Sequence, residues 1–391
     1  MNIPSELTVR SARGDIEQLV EDWQRSLESE LFDFSIAPQW TVHAAVAAGM
    51  VAQLRAVGLY DRQSSLKSLG LFLEEKQRIL GIPATVRELP GNRLVAYHNE
   101  MPGQCTAQLV EAIAAAGGKR CDVVNVPAVI RGGVTDQCVS EVASRRRWTI
   151  TRAPGYRSPF ITIREPWESY LAHKSRSFRY ALQRKRRALE GVGAVSMRWY
   201  GAGDTVAELL ESIATIESSS WKAQEQMAIT GSEQETRYYA ALLPWLAERD
   251  ALTANVLFVG EEPTAYSLCY RWGGRIAQMK TSFDERFQNV SPGLIVNAEA
   301  IRNAFESGAR EFDFLGDIMP HKSFWTDEFR IHDHLFVYTD TVVGRAVGFA
   351  KSRLNRLRPN NGITTTGRGA RLKSPAKAAE PAGPSGAGDE S

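Results

Sequence analysis

The stretch from Asn255 to Gly293 constrains the fold more tightly than any other part of the chain. Apolar runs from Asn255 to Val259, Ala265 to Trp272 and Arg275 to Ser282 are separated by a Gly260-Glu261-Glu262-Pro263 turn and a Gly273-Gly274 turn. Runs of strand length divided by such turns predict an antiparallel meander of three strands. Ser291-Pro292-Gly293 then opens a helix, Leu294 to Ser307, and Phe312 to Leu315 follows as a further strand. The unpaired N–H groups and the positive end of the helix dipole face whatever lies ahead of that helix, so the turn is a candidate anion site. Asp313, Asp317 and Lys322 come next. A phosphate-bearing ligand and ionisable groups would thus be brought together.

At 391 residues the chain has room for two domains, and 43% apolar with 24% charged residues is ordinary for a soluble globular protein. A net charge of +2 says little about partners, but basic residues cluster at 174–187 and again beyond 345. Cys105, Cys121, Cys138 and Cys269 are far apart, with no Cys-x-x-Cys pair. Neither a zinc site nor a disulfide framework is suggested, and a reduced cytoplasmic compartment is expected. The amino terminus lacks a basic region followed by an apolar core, and no apolar run approaches the ~18 residues of a membrane span.

Residues 1–160 read as an α/β half, with helices from Asp15 to Ser29, Gln39 to Val57 and Gln104 to Ala116, and strands from Asp122 to Val126 and Trp148 to Arg152. No catalytic motif stands out there, so a structural role is expected, with walls of a substrate cleft as the competing reading. Residues 161–342 form the second half. Pro166-Trp167-Glu168 starts a helix, Lys174 to Glu190 is a long basic one, and Asp204 to Ser218 presents an apolar face. After the meander, His334 to Tyr338 is a last strand. Residues 343–358 read as a basic amphipathic helix, and 359–391, rich in Gly, Pro, Ala, Ser and Thr, as a disordered tail.

Five pieces of wording resemble the FemAB-like branch of the GNAT acyltransferase superfamily, which includes proteins of cellulose (CelD-type) and exopolysaccharide synthesis. They are the helix from Tyr170-Leu171 through Ser177-Phe178-Arg179 to Arg186-Arg187-Ala188-Leu189-Glu190; Glu217 with Ser220-Trp221-Lys222; the meander with Gly260 and Ala265; Asp284 with Ser291-Pro292-Gly293; and Phe312-Asp313-Phe314-Leu315-Gly316 with Lys322 and Trp325. Together they span about residues 165–340. Trp23, Phe34 and Trp40 also look like the family's amino-terminal half, a second, degenerate GNAT-like domain. The resemblance implies an α/β (α+β) GNAT fold in tandem halves, with a mixed, largely antiparallel sheet flanked by helices. One departure is His321, where many relatives carry tyrosine before the lysine.

GNAT enzymes hold acyl-CoA on a pyrophosphate loop, commonly Gln/Arg-x-x-Gly-x-Gly/Ala. Gln288-Asn289-Val290-Ser291-Pro292-Gly293 is similar, with Ser291 in place of the first glycine. Gly293 and the following helical amides would supply donors, whereas Pro292 has none. A plain strand-to-helix turn is the alternative. By analogy with the superfamily's splayed strand, amides along Ala277 to Ser282, including Thr281 and Ser282, would polarise the acyl carbonyl. Candidates for the base are Asp313, Asp284, Glu217 and His321, together with Asp317. Asp284 has the competing reading of a turn cap, and Lys322 would neutralise a phosphate or a developing anion.

Trp221, Lys222, Arg179 and Trp325 are candidate acceptor contacts, the tryptophans as sugar-stacking walls or else as packing. The basic helix reads as a solvated face or as a surface for a polyphosphate acceptor such as a nucleotide sugar, a lipid pyrophosphate or tRNA. His332 and His334 share a strand face without a third ligand, so no metal is expected. The terminal basic helix either packs on the sheet with arginines outward or meets an acidic, inner-membrane surface, and Arg353, Arg356 and Arg358 suit an anionic nucleotide regulator. These readings converge on a cytoplasmic acyltransferase, using acetyl-CoA or another acyl-CoA and no metal, that modifies a cell-surface polysaccharide or its sugar precursor. The rivals are an aminoacyl-tRNA-dependent ligase acting on peptidoglycan precursors, and a non-catalytic component of a polysaccharide machine.

Overall fold

The computed structural model describes residues 8–12, 23, 37–89, 92, 94–95, 97–101, 103–220 and 228–357. The strands are β1 (Thr8–Ala12), β2 (Leu54–Tyr60), β3 (Leu66–Ile79), β4 (Ile82–Glu88), β5 (Val123–Ile130), β6 (Thr149–Thr162), β7 (Val195–Tyr200), β8 (Leu252–Val259), β9 (Glu262–Trp272), β10 (Arg275–Phe283), β11 (Glu311–Asp313) and β12 (Phe329–Tyr338). The principal helices are α1 (Pro38–Ala47), α2 (Gly103–Ala115), α3 (Val134–Arg146), α4 (Trp167–His173), α5 (Arg176–Glu190), α6 (Val206–Ser218), α7 (Glu233–Glu248), α8 (Pro292–Glu306), α9 (Pro320–Ser323) and α10 (Val342–Leu357).

All described strands join one 12-stranded sheet in the order β1-β2-β3-β4-β5-β12-β6-β11-β10-β9-β8-β7. The order is palindromic. In each half an antiparallel ribbon (β1 to β4, β7 to β10) passes through a helix (α2, α8) to a strand parallel to its last member (β5, β11). At the centre the halves exchange partners, because β6 pairs with β11 and β12 pairs with β5, while β6 and β12 pair with each other. The sheet is therefore mixed, mostly antiparallel, and continuous across tandem GNAT-like halves.

The meander forms where expected, with Gly260 (φ 64°), Gly273 (φ 55°) and Gly274 (φ 76°) supplying the positive φ that its tight turns need. Helix α8 buries Ile295, Val296, Ala298, Ile301 and Ala304 against it. The expected helix from Gln39 to Val57 is shorter. It stops at Ala47 and the chain re-enters the sheet as β2. Gly49 (φ 66°) reverses the backbone there, with Met50 N–H donating to Ala45 O and Gly49 N–H to Val46 O, a left-handed helix stop. Apart from Trp23, which is buried, Asp15 to Ser29 and the tail 359–391 lie outside the described residues.

Both faces carry helices. Trp40 of α1 meets Tyr97, Tyr238 and Tyr270 edge-on at centroid distances of 6.1–6.3 Å, so one aromatic core spans both halves. Helix α10 lies flat on the sheet through Gly344, Val347 and Gly348. A Cβ at Gly344 would fall 2.5 Å from Thr339 O, so only glycine admits this approach.

Candidate functional site

Strand β10 stays paired with β9 along its whole length but pairs with β11 only through Arg275–Ala277. The remainder, Gln278 to Phe283, continues without β11, and a bulge between Gln278 and Lys280 turns it further. Strand β11 ends at Asp313, and Leu315 (φ 45°) and Gly316 (φ 59°) carry the chain away. The two parallel strands thus open into a V with Asp313, opposite Ala277, at its crotch.

The amino end of α8 closes the far side. Ser291 takes a left-handed conformation (φ 55°, ψ 57°), Pro292 sits in the first turn, and no side chain caps the helix. Pro292 has no N–H and Leu294 N–H donates to Ser291 O at 3.1 Å, so the Gly293 N–H is the first-turn donor left for a ligand or water. A Cβ at Gly293 would lie 3.0 Å from the Phe283 ring, so the glycine lets the helix start against β10. Thr281 Oγ1 lies 3.0 Å from Asn297 Oδ1 of α8, and the Ser282 hydroxyl is buried without a partner. Gln288 is exposed, and its carbonyl accepts Ser291 N–H at 3.1 Å. Thr281, Ser282, Gln288, Ser291 and Gly293 therefore share one corner.

Helix α5 runs beside this corner. Its Leu182 and Leu189 are buried, and Lys185 Nζ donates to Asn289 O at 2.7 Å. Arg176, Arg179, Arg184 and Arg187 are exposed and form no ion pair among the described residues. Their charge stands uncompensated on the helix whose Lys185 reaches this corner.

Asp313 is fully buried and saturated. Its carboxylate accepts from His98 Nε2 (2.5 Å), Ser158 Oγ (3.2 Å), Leu315 N–H (2.8 Å) and Arg330 (3.0 Å). Burial pushes its pKa up, but His98, Arg330 and Arg275 outweigh this and hold the carboxyl well below the usual range. His98 Nδ1 lies 2.7 Å from His332 Nε2, and His332 Nδ1 lies 3.3 Å from Tyr156 O. Burial and then His98's charge push His332 down to about 3, so it is neutral. Every partner is satisfied when His98 donates from both ring nitrogens and His332 donates to the Tyr156 carbonyl. Asp313 therefore acts here as a counter-ion, with no lone pair left to take a proton.

Lys322 enters the crotch from α9. Its Nζ donates to Leu315 O (2.6 Å) and Asp317 O (3.1 Å), and burial, opposed by Asp313 and Asp317, brings it down to about 8. His321 is exposed on the same short helix. Asp317 accepts Arg157 N–H at 3.0 Å.

Other candidates stand apart from the crotch. Asp284 caps the turn after β10, accepting Arg286 N–H at 2.9 Å and pairing with its guanidinium. Glu217, fully buried, accepts Tyr266 Oη and Ile229 N–H, each at 2.6 Å, tying α6 to β9 and to residue 229. Trp325 is 1% exposed and packs on Phe178 and Trp167, so it is core rather than wall. Trp221 and Lys222 lie outside the described residues.

His98, Ser158 and Arg330 are the residues that sequence reasoning missed, and His332 it weighed only as a metal ligand. Among the described residues no group of three or more His, Cys, Asp or Glu is placed to hold a metal ion. The equivalent V of the first half is closed. Asn99 N–H donates to Ala128 O, and its Nδ2 donates to Leu89 O and Pro127 O, so residues 97–101 lace β4 to β5 and deliver His98 to Asp313. One half supplies the open cleft and the other a brace.

This geometry agrees with the comparisons. Residues 176–323 match the model of the acetyltransferase (GNAT) domain family. Residues 176–323 thus carry an acetyltransferase (GNAT) domain. Among solved structures, FemX aligns with a TM-score of 0.57 at 11% identity, covering 84% of this chain and 97% of FemX. A conserved protein of unknown function from Bacteroides thetaiotaomicron aligns with a TM-score of 0.55 at 12% identity, over 85% of this chain and 100% of the other. The C-terminal domain of a lysylphosphatidylglycerol synthetase-type protein of Agrobacterium fabrum gives 0.51 at 9% identity, over 90% and 99%. At such identities the likeness is one of fold, and it extends over both halves. A search of the curated proteins found no match.

Proposed function

We infer that the protein transfers an acyl group from an acyl-CoA, acetyl-CoA in the first instance, to an amine or hydroxyl of a sugar on a cell-surface polysaccharide or its precursor. The opening of β10 from β11 beside an uncapped helix end carries the donor half of this reading. The Gly293 amide of α8 and the arginines of α5 suit the diphosphate and 3′-phosphate of CoA, and the free edge of β10 suits the pantetheine and thioester. In the transfer, the acceptor N–C or O–C bond forms as the C–S bond breaks, the acceptor's proton passes to a base, and the CoA thiolate takes up a proton. Lys322, brought down to about 8, is the group at the crotch that exchanges a proton near neutrality.

The sugar acceptor rests on the resemblance to the exopolysaccharide-associated branch. Helix α10 supports a peripheral contact with an acidic membrane surface, since it exposes Val342 and Phe349 together with Arg345 and Arg353. Among the described residues no helix is long and apolar enough to cross a membrane. Arg353 lies over the Phe349 ring at 5.0 Å, while Arg358 and the side chain of Arg356 fall outside the described residues. One observation favours a second donor: the unpaired arginines of α5 suit an aminoacyl-tRNA as well as CoA.

Release of CoA thiol in the presence of amino-sugar acceptors tests the reading, with charged tRNA as the parallel donor. Acceptor-dependent thiol release supports acyl-CoA transfer, and amino-acid transfer from tRNA supports the second donor. If neither donor reacts or binds, the protein is a non-catalytic component.

A further inference from the structure

A second concave site lies in the first half, on the α2 face of the β3–β4 hairpin. The cavity is about 300 Å³ and is lined by Arg55, Glu74, Lys76, Arg87, Lys119 and Arg120 over a floor that includes Phe72. Strand register explains the convergence. Arg55 pairs with Phe72, Glu74 with Arg87 and Lys76 with Thr85, so these side chains rise from the same face, and the α2–β5 connection brings Lys119 and Arg120 over them.

The charges are only partly compensated. Arg87 takes Glu74 (2.8 Å) and donates to Ile113 O (2.5 Å) and Ala116 O (2.9 Å), closing the carboxyl end of α2. Arg120 pairs with Asp340 at 2.5 Å. Arg55, Lys76 and Lys119 form no ion pair among the described residues. Arg55 spends Nη1 on Ala52 O and Leu54 O, and its Nε is buried without a partner. A buried donor left unpaired costs free energy, and three unpaired cations around one concavity repel each other unless an anion sits among them. No single helix end or loop makes this site. Its cations come from β2, β3, β4 and the α2–β5 connection.

We propose that this cavity binds a phosphate chain of two or more units, either free or as part of a nucleotide. One phosphate fills only part of a cavity of about 300 Å³, whereas a phosphate chain offers more than one anionic group to cations that come from separate elements. The site lies in the other half from the β10–β11 opening, so it is independent of the acyl-CoA reading and does not compete with the donor.

Thermal stability of the full chain measured with inorganic pyrophosphate, ATP and orthophosphate tests this, because a ligand held only by the folded state raises stability. Pyrophosphate and ATP should each raise the midpoint, with orthophosphate at least about tenfold weaker. Equal affinity for the first two identifies the phosphate chain as the recognised group, and tighter ATP binding adds nucleoside contacts. Lys76→Glu with Lys119→Glu, both at exposed positions, should abolish the effect without lowering the unliganded midpoint, since it relieves the repulsion, and without changing any shift produced by acetyl-CoA. No stabilisation by pyrophosphate or ATP at about 5 mM overturns the proposal, as does an undiminished shift in the double variant.

Discussion

His98 Nε2 lies 2.5 Å from Asp313 Oδ2, joining two fully buried side chains 215 residues apart in the sequence and in different halves of the sheet. The contact couples the closed V of the first half to the open V of the second. It follows from the segment 97–101, which fills one cleft and braces the crotch of the other.

Replacing His98 by Ala leaves the Asp313 carboxylate buried with its best partner gone. Breaking such a pair costs about 3–5 kcal/mol. The urea midpoint should fall accordingly with an unchanged slope, and His98→Gln should recover part of the loss. A midpoint equal to wild type would remove the brace from the explanation.

Acid should weaken the fold through the same cluster. His332 is held at about 3, below its ordinary 6.5, so the unfolded chain binds the extra proton between those values and stability falls as pH drops from 6.5 toward 3. Asp313, held below 3.8, adds stability that is present above 3.8 and is lost as pH falls through its lower folded value. Each proton taken up by the unfolded state alone is worth about 1.4 kcal/mol per pH unit. Chemical denaturation at pH 6.5, 5.5 and 4.5 should show a shallower decline for His332→Gln than for wild type, and parallel declines would count against a neutral His332.

Lys322 should set the ascending limb of the pH–rate profile near 8. Lys322→Met should remove that limb and lower kcat by about 10²–10⁴-fold, with a smaller change in the KM for acyl-CoA. A profile unchanged in shape would assign the proton transfer elsewhere.

The exposed arginines of α5 should act through charge. Arg179→Glu combined with Arg187→Glu should weaken donor binding by about tenfold at low salt, and the difference should shrink at high salt as screening sets in. Equal affinities at low salt would make the basic face a solvated surface only.

Much of the second half was legible because its signals are local. Gly260 and Gly273-Gly274 announce the turns, and Ser291-Pro292-Gly293 announces the helix start whose left-handed serine leaves the Gly293 amide uncapped. The first half was harder. Val51 to Val57 continues the alanine-rich pattern of α1, so only the reversal at Gly49 and pairing with β3 make β2 a strand. Exchange of β6 and β12 is a property of the assembled sheet, and no local pattern encodes it. For the same reason Asp313 was visible as a buried acid on an apolar strand, whereas its partners His98, Ser158 and Arg330 come from three other segments. Asp284 and Glu217 carry the right chemistry for a base, but Asp284 is occupied by Arg286 in its own turn and Glu217 by Ile229 and Tyr266 from other elements.

Calorimetric titration of the full chain with acetyl-CoA, beside Gly293→Leu, most directly tests the claim that the opening between β10 and β11 holds an acyl-CoA. Saturable binding by wild type and at least about tenfold weaker binding by Gly293→Leu, whose side chain would enter the space between α8 and Phe283, is the predicted result, provided the variant's unliganded melting point shows it folded. No binding of acetyl-CoA or any longer acyl-CoA by wild type at about 1 mM would contradict it.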